Sequence, residues 1–103
     1  MSMTLDKLNS LLNKDIYSCQ LIDVREPYEF DEGSIPGSIN MPMGSVLEFL
    51  GKEKYKSIRE KRFIIFYCKS GRRSAAVNYM VRKTHKILNT YSLEGGYINY
   101  CKI

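Results

Sequence analysis

The sequence predicts an α/β domain in which a central, mainly parallel sheet is covered by helices on both faces. Strand-like apolar runs alternate with segments of helical periodicity along the whole chain, which is the pattern of such a sheet. The run Arg62–Tyr67 is apolar after its first residue, as expected for a buried strand. The length of 103 residues, with 44% hydrophobic and 26% charged residues, fits one globular domain with one core.

The first third of the chain predicts a helix, a strand and a second, short helix. Leucines recur at helical spacing over residues 5–12, and residues 13–15 end this opening helix. Ile16–Val24 is expected to form a strand that is strongest in its last four residues. Pro27 suits the first position of a short helix, where its missing N–H costs nothing, and Gly33 closes that helix.

The middle of the chain is rich in turns. Residues 33–42 contain several glycines and prolines around a short strand predicted at Ser38–Met41. A helix is expected near Ser45–Gly51, and the Met41–Met43 segment is expected to fill the core. Residues 52–62 mix lysine and arginine with glutamate, which indicates a solvated helix and turn.

The last third repeats the alternation of strand and helix. Ser74 is a candidate N-cap for a helix over Ala75–Arg82, with cations near its end that can meet the last free carbonyls. The side chains expected to face inward are Val77, Met80 and Val81. The remaining predicted elements are a strand over Ile87–Tyr91, a turn over residues 93–96 and a closing helix over Tyr97–Cys101.

The cysteines and the single histidine argue against a disulfide framework and against a zinc site. The three cysteines are Cys19, Cys68 and Cys101, an odd number at wide spacing without any C-x-x-C. We expect Cys19 and Cys101 to be packing residues and His85 to be a surface residue at a helix end. No cofactor and no metal are predicted.

The distribution of charge and the hydropathy of the sequence argue against nucleic-acid and membrane partners. The net charge is +5, but the cations are spread along the chain among acids, so we expect no nucleic-acid partner. No stretch approaches the roughly 18 apolar residues that span a bilayer, and the N-terminus lacks a signal-peptide pattern. These features predict a cytoplasmic protein without a membrane partner. A basic loop, described next, suits a small anionic substrate.

The segment that follows the central strand has the composition of a reactive-cysteine loop. Cys68 comes directly after the strand and just before a helix, whose N-terminus favours negative charge. Lys69, Arg72 and Arg73 add positive charge, which favours the thiolate, the nucleophilic form. Gly71 permits a backbone angle that other residues resist. The alternative is an inert buried thiol, which would leave the glycine and the cations unexplained.

Four segments, in order along the chain, resemble the motifs of the rhodanese-like domain family. They are Leu21–Glu26 (for the family's D-V-R-E), Gly33–Pro42 (for G-H-I-P-G-A-x-N-I-P), Tyr67–Ser74 (for the active-site loop) and Leu93–Tyr97 (for L-x-G-G). Ser34 stands where the family usually has histidine, and Tyr100 falls near a position where tryptophan is common. Order and spacing agree over nearly the whole chain.

The resemblance implies a parallel sheet of about five strands and a sulfurtransferase activity. Cys68 would take sulfane sulfur from thiosulfate or a similar small anionic donor as a persulfide. An acceptor such as cyanide or a protein thiol would then remove it, so a protein that donates or accepts sulfur is a second kind of partner. The loop amides would form a nest for the anion.

The resemblance also assigns roles around Cys68. The expected substrate-binding residues are Lys69, Ser70, Gly71, Arg72 and Arg73, and either arginine could hold the sulfonate oxygens through a planar fork. The expected supporting residues are Asp23, Arg25 and Ser74. For Asp23 and Arg25, a solvated pair at the end of a strand is an equally good interpretation of the sequence.

Three alternatives remain open at this point. The first alternative is a cysteine phosphatase or an arsenate reductase. Cysteine phosphatases use C-x5-R, whereas four residues separate Cys68 from Arg73 here and Ser74 stands at the position of the closing arginine. Loop length therefore favours sulfur over phosphate. The second alternative is a rhodanese-like binding or regulatory module. The third is a relay in which the donor and the acceptor are both proteins.

Overall fold

The computed structural model describes residues 1–102 and confirms the predicted α/β architecture: a sheet of five parallel strands between two layers of helices. The strands are β1 (Ser2–Met3), β2 (Cys19–Asp23), β3 (Ile39–Asn40), β4 (Phe63–Tyr67) and β5 (Thr90–Leu93). The helices are α1 (Leu5–Lys14), α2 (Pro27–Glu32), α3 (Val46–Leu50), α4 (Lys56–Arg59), α5 (Arg72–His85) and α6 (Gly96–Cys101). Two 3₁₀ turns, Ile16–Ser18 and Glu53–Tyr55, complete the described chain.

Side chains of the central strand β4 alternate between two apolar layers. Ile64 and Phe66 join a cluster with residues of α3 and α5, such as Leu50 and Val81. Ile65 and Tyr67 point to the opposite layer. That layer contains Met3, Leu8, Leu21, Ile35 and Leu93, with side chains of α1 and α6 packed against it. Both faces of the sheet are therefore covered, which explains why β4 is apolar along its length.

The strand order places a crevice at the carboxyl ends of β2 and β4. The order across the sheet is β1-β5-β4-β2-β3, so the chain moves from β2 to one side and later returns to β4 on the other. Ligands of open α/β sheets bind where neighbouring strands send their connections in opposite directions. Asp23 and Tyr67 are paired in register, so the segments that begin at Val24 and Cys68 leave the sheet side by side.

Two strands near the start of the chain differ from the prediction. β1 was not predicted, because two residues carry no periodic signal; it pairs with β5 through Ser2 and Met3. The strand predicted from Ile16 begins only at Cys19. The Asp15 carboxylate accepts a hydrogen bond from the Tyr17 amide and so starts a 3₁₀ turn instead, which leaves Ile16 56% exposed.

The last strand also lies later than predicted, at Thr90–Leu93 instead of Ile87–Tyr91. Lys86, with φ 56°, ends α5 in the left-handed region. The Arg82 guanidinium then donates to the carbonyls of Leu88 and Thr90, 2.7 Å from each. These hydrogen bonds hold the segment between α5 and β5 outside the sheet. Arg82 had been expected to meet the last free carbonyls of its own helix instead.

The start of α5 corrects two further predictions. The helix begins at Arg72, after Gly71, so Ser74 lies in the first turn and is not the N-cap. With this register the buried positions of α5 are Ser74, Val77, Asn78 and Val81. Met80 was expected inside but is 43% exposed, because it lies on the opposite side of the helix.

The predictions of which cysteine, methionine and histidine side chains are buried are only partly confirmed. Cys19 is buried as predicted, whereas Cys101 is exposed on α6, so its prediction as a packing residue is wrong. Met41 is buried, but Met43 is 43% exposed because it follows the end of β3. His85 is the last residue of α5 as expected, yet it is half-buried, with Nε2 2.7 Å from the Leu47 carbonyl oxygen.

None of the helices within residues 1–102 has the length and hydrophobicity needed to cross a bilayer. Over the same residues, no three His, Cys, Asp or Glu side chains gather in a way that could hold a metal ion.

Candidate active site

The loop after β4 turns its backbone amides toward the sulfur of Cys68. Four residues, 68–71, separate β4 from α5. Gly71 has φ 104°, a backbone angle that side chains resist, and its amide donates to Cys68 Sγ at 3.1 Å. The amide of Ser74 in the first turn of α5 donates to the same atom at 3.4 Å. The resulting cradle combines a turn and a helix N-terminus around one sulfur.

This cradle favours the ionised form of Cys68. The residue is 1% exposed, and burial by itself raises the pKa of its thiol. Hydrogen bonds from the Ser74 amide and hydroxyl and from the amides of Gly71 and Ser70 outweigh burial, so the pKa lies below its ordinary value of 9.0. A thiolate, unlike the neutral thiol, can act as a nucleophile.

The N-terminus of α6 supports the loop from the other side. The amides of Tyr97 and Ile98 donate to the carbonyls of Cys68 and Lys69, at 2.8 and 3.0 Å. A Cβ atom at Gly96 would lie 2.5 Å from the Cys68 carbonyl oxygen, so only glycine allows this approach. Gly96 belongs to the L-x-G-G segment, whose contact with the loop the sequence analysis did not identify.

The structure separates the two loop arginines that the sequence could not distinguish. Arg73 forms a forked ion pair with Glu29 of α2, with Nη1–Oε1 at 2.9 Å and Nη2–Oε2 at 3.2 Å. The hydrogen bonds from Arg73 lower the pKa of Glu29 to about 2, although partial burial opposes the shift. Arg72 and Lys69 are exposed, and their side chains make no hydrogen bond or ion pair with any other residue in the described chain. Ser70 is also exposed beside them.

Asp23 and Arg25 form a buried pair, not the solvated one that the sequence also allowed. Arg25 donates to both carboxylate oxygens of Asp23, with the shortest contact at 2.7 Å, and also to the Gly33 carbonyl at 2.7 Å. Its guanidinium carbon lies 4.4 Å from the centre of the Tyr97 ring. The pair thus connects the end of β2 to the turn after α2 and to α6, beneath the loop.

Tyr67 is a supporting residue that the sequence analysis missed. Its buried hydroxyl accepts a hydrogen bond from the Ile35 amide at 3.1 Å and lies 2.9 Å from Ser38 Oγ. Burial raises the pKa of this phenol to about 12. The turn-rich segment is therefore anchored to the residue that precedes Cys68. The apolar run that ends at Tyr67 indicated only that this residue would be buried.

Two surface grooves flank the loop and offer approaches to it. One, of about 560 Å³, is lined by Ser70 and Gly71 of the loop together with Ser92 and Gly95. The other, of about 460 Å³, includes Lys69 of the loop together with Arg25 and Glu29. The exposed thiol of Cys101 also lines this second groove.

Comparison with known proteins agrees with this architecture. A family model described as the rhodanese-like domain matches residues 4–102. The uncharacterized protein YqhL of Bacillus subtilis is 36% identical over 78 residues, which are 76% of this chain and 57% of that protein. Thiosulfate:glutathione sulfurtransferase of Saccharomyces cerevisiae is 35% identical over 109 residues, 95% of this chain and 75% of that one. Against the first curated relatives, however, the chain spans only about half of their length, 57% and 46%.

A solved structure shows the same fold. The human single-domain sulfurtransferase TSTD1 superposes with a TM-score of 0.86 over 98% of this chain and 95% of that one, at 24% identity. At this identity the likeness concerns the fold alone. The match of the family model to residues 4–102 assigns the family itself. The chain therefore belongs to the rhodanese-like domain family.

Proposed function

We propose that the protein is a sulfurtransferase that carries sulfane sulfur on Cys68 as a persulfide. The observation that carries the proposal is the pair of amides, from Gly71 and Ser74, that donate to Cys68 Sγ. Family membership and relatives named as sulfurtransferases support sulfur transfer in general. Thiosulfate as the donor is what the family resemblance implies, and the positive charge of the loop suits such a small anion.

In the first half-reaction the Cys68 thiolate attacks the outer sulfur of thiosulfate. A bond forms between Sγ and that sulfur, the sulfur–sulfur bond of thiosulfate breaks, and sulfite leaves with the bonding electron pair. The new terminal sulfur carries the negative charge that the thiolate had. The amides of Gly71 and Ser74 already point toward Sγ, and we expect the cradle to stabilise the charge on the adjoining terminal sulfur without having to reorganise.

In the second half-reaction a thiophilic acceptor removes the terminal sulfur. Cyanide or a thiolate attacks that sulfur, the bond to Sγ breaks, and its electron pair returns to Cys68 as the thiolate. The acceptor leaves as thiocyanate or as a new persulfide. No proton has to be taken from Cys68 in either half-reaction, so the site needs no general base beside it.

The exposed cations of the loop are suited to bind the donor. Arg72 has no intramolecular ion-pair partner within residues 1–102, so its planar fork is available for the sulfonate oxygens. Lys69, which lines the groove that also contains Arg25 and Glu29, provides a second positive charge. Arg73 is held by Glu29 and is therefore assigned to support, together with Asp23 and Arg25.

The same geometry argues against the alternatives. A phosphate loop needs one more residue and an arginine that closes it, but Ser74 occupies that position and Arg73 points to Glu29. A module that only binds would not need a thiol held by two amides. A relay between two proteins uses the same Cys68 chemistry and differs only in the donor and the acceptor.

A paired assay tests the proposal. The protein is given thiosulfate with cyanide, and separately an aryl phosphate. We expect thiocyanate to form, no turnover of the phosphate, and loss of thiocyanate formation in Cys68→Ser. Turnover of the phosphate alone would replace sulfur transfer with phosphatase chemistry. Activity with a persulfide-loaded protein but not with thiosulfate would replace the small donor with a protein donor.

A further inference from the structure

A second serine, on β5, completes the polar surroundings of Cys68. Ser92 Oγ lies 2.7 Å from Ser74 Oγ, and both side chains are buried. Ser74 Oγ in turn lies 3.6 Å from Cys68 Sγ. Within residues 1–102, the Ser92 hydroxyl makes its only side-chain hydrogen bond to Ser74. Three side chains thus form a line that runs from β5 through α5 to the reactive sulfur.

The Ser74 hydroxyl has one proton and three neighbours that could accept it. These are the Gly71 carbonyl oxygen at 3.2 Å, Ser92 Oγ at 2.7 Å and the Cys68 sulfur at 3.6 Å. While Cys68 is a thiol, its S–H can donate to Ser74 Oγ. Once Cys68 is a thiolate it can only accept, so it gains a hydrogen bond from this hydroxyl only if the Ser74 proton turns toward it.

The direction of the bond between the two serines decides where that proton points. If Ser74 donates to Ser92, the thiolate loses its hydroxyl donor. If Ser92 donates to Ser74, Ser92 is no longer a competing acceptor. The Gly71 carbonyl already accepts the helix bond from the Ala75 amide at 3.1 Å, so it does not need the Ser74 proton. A charged acceptor is also the stronger of the two.

We propose that Ser92 is a positioning residue for Cys68: its hydroxyl donates to Ser74 Oγ and so directs the Ser74 proton to the Cys68 thiolate. The inference rests on the proposed function only in that the thiolate is the attacking group. Ser92 makes no hydrogen bond to the sulfur, and it acts through Ser74.

The cations near Cys68 are Lys69 of the loop and Arg72 and Arg73 of α5, and none of them lies on β5, so replacing Ser92 removes no charge. Arg73 of α5 is the cation whose charge interacts with Cys68, and it also interacts with Glu29 of α2 and Asp23 of β2. An effect of Ser92 on the ionisation of Cys68 would therefore come through the hydroxyl pair. It would not come from an altered ion pair.

The test follows alkylation of Cys68 by iodoacetamide across pH, read on the peptide that contains Cys68. For Ser92→Ala we expect a higher apparent pKa of Cys68 and, below that pKa, an alkylation rate about twofold lower, because the Ser74 hydroxyl loses the donor that orients and polarises it. At high pH the two rates should converge. Ser92→Thr, which keeps the hydroxyl, should restore the parent profile.

Thr90→Val is the matched control. Thr90 lies two residues earlier on β5, is fully buried, and its hydroxyl has no partner within residues 1–102. Removing the Thr90 hydroxyl should leave the pH dependence of Cys68 alkylation unchanged. An unchanged profile for Ser92→Ala, or an equal shift in Thr90→Val, would overturn the proposal.

A double substitution separates positioning from general damage to the fold. In a Ser74→Ala background, Ser92→Ala should have no further effect on alkylation, because the Ser74 hydroxyl through which Ser92 acts is already absent. Additive effects would contradict the proposal. Alkylation reads the thiolate whether or not thiosulfate is a donor, so failure of the paired assay with a normal Ser92 effect would count against the proposed function alone.

Discussion

Arg73 and Glu29 bind each other across the crevice at the carboxyl ends of β2 and β4, with Nη1 of the arginine 2.9 Å from Oε1 of the glutamate. The two residues are 44 positions apart, on α5 and α2. The pair fixes the first turn of α5, which contains the Ser74 amide, against the helix that follows β2. It also leaves Arg72 as the loop arginine without an intramolecular partner within residues 1–102.

Because Arg73 is ion-paired and Arg72 is not, we expect their replacement by alanine to have different effects. Arg72→Ala should raise the KM for thiosulfate and lower kcat/KM by about tenfold, because a charge-assisted contact to the donor is lost. Its unfolding midpoint in urea should stay near that of the parent. Steady-state kinetics and urea unfolding on the same preparations measure both quantities.

Arg73→Ala should instead lower the urea midpoint, because Glu29 loses its partner. If Arg72→Ala left the kinetics unchanged while Arg73→Ala raised KM without any loss of stability, the two assignments would have to be exchanged.

The low pKa of Glu29 predicts how the stability of the ion pair depends on pH. In the folded protein this pKa is about 2, compared with an ordinary value of 4.5, because Arg73 favours the carboxylate. The contribution is therefore complete above about pH 4.5 and is lost as the pH falls through about 2. The difference in unfolding free energy between the parent and Glu29→Gln should shrink over this window.

Urea unfolding at a series of pH values gives that difference. Glu32→Gln changes an exposed carboxylate on the same helix and is the control. A difference between the parent and Glu29→Gln that stayed constant from pH 4.5 down to 2 would show that the ion pair does not contribute in solution.

Asp23 is predicted to matter for stability. Asp23→Ala leaves the Arg25 guanidinium buried without its counter-charge, a change that typically costs about 3–5 kcal/mol. Asp31→Ala, an exposed carboxylate on α2, should change stability by less than about 0.5 kcal/mol. Thermal melts of both variants measure this difference, and equal melting temperatures would show that the Asp23–Arg25 pair does not stabilise the fold.

Gly96 is predicted to be the glycine least able to accept a side chain. It has φ 58°, and a Cβ there would lie within 2.6 Å of the carbonyl oxygens of Cys68 and Lys69. Gly96→Ala should therefore lose about 2 kcal/mol or more of stability and slow sulfur transfer as the loop shifts. Gly44→Ala, with open space around its Cβ, is the control. Parent-like stability in Gly96→Ala would mean that α6 can move away without cost.

Local patterns in the sequence predicted the elements that carry the site. The apolar run that ends at Tyr67 placed Cys68 at the edge of the sheet, and Pro27 marked the first position of α2 as expected. The N-cap at Ser74 was wrong, because the preference of serine for caps is local, whereas Gly71 makes the turn and starts the helix earlier. The structure places Ser74 where its amide and hydroxyl both reach the sulfur.

Contacts between distant residues could not be predicted from one sequence. Nothing local in Glu29 indicates a bond to Arg73, and nothing in Tyr67 indicates its bond to the Ile35 amide. The exposure of Cys101 depends on which face of α6 lies against the sheet, and six residues define that face poorly. Such contacts depend on how the elements pack in three dimensions.

The intact mass of the protein after incubation with thiosulfate decides whether Cys68 carries the transferred sulfur. We expect the parent to gain the mass of one sulfur atom and to lose it again when cyanide is added. Cys19→Ser and Cys101→Ser should gain the same mass, and Cys68→Ser should not. A parent protein that gains no sulfur, or a Cys68→Ser variant that gains it as readily as the parent, would contradict a persulfide on Cys68.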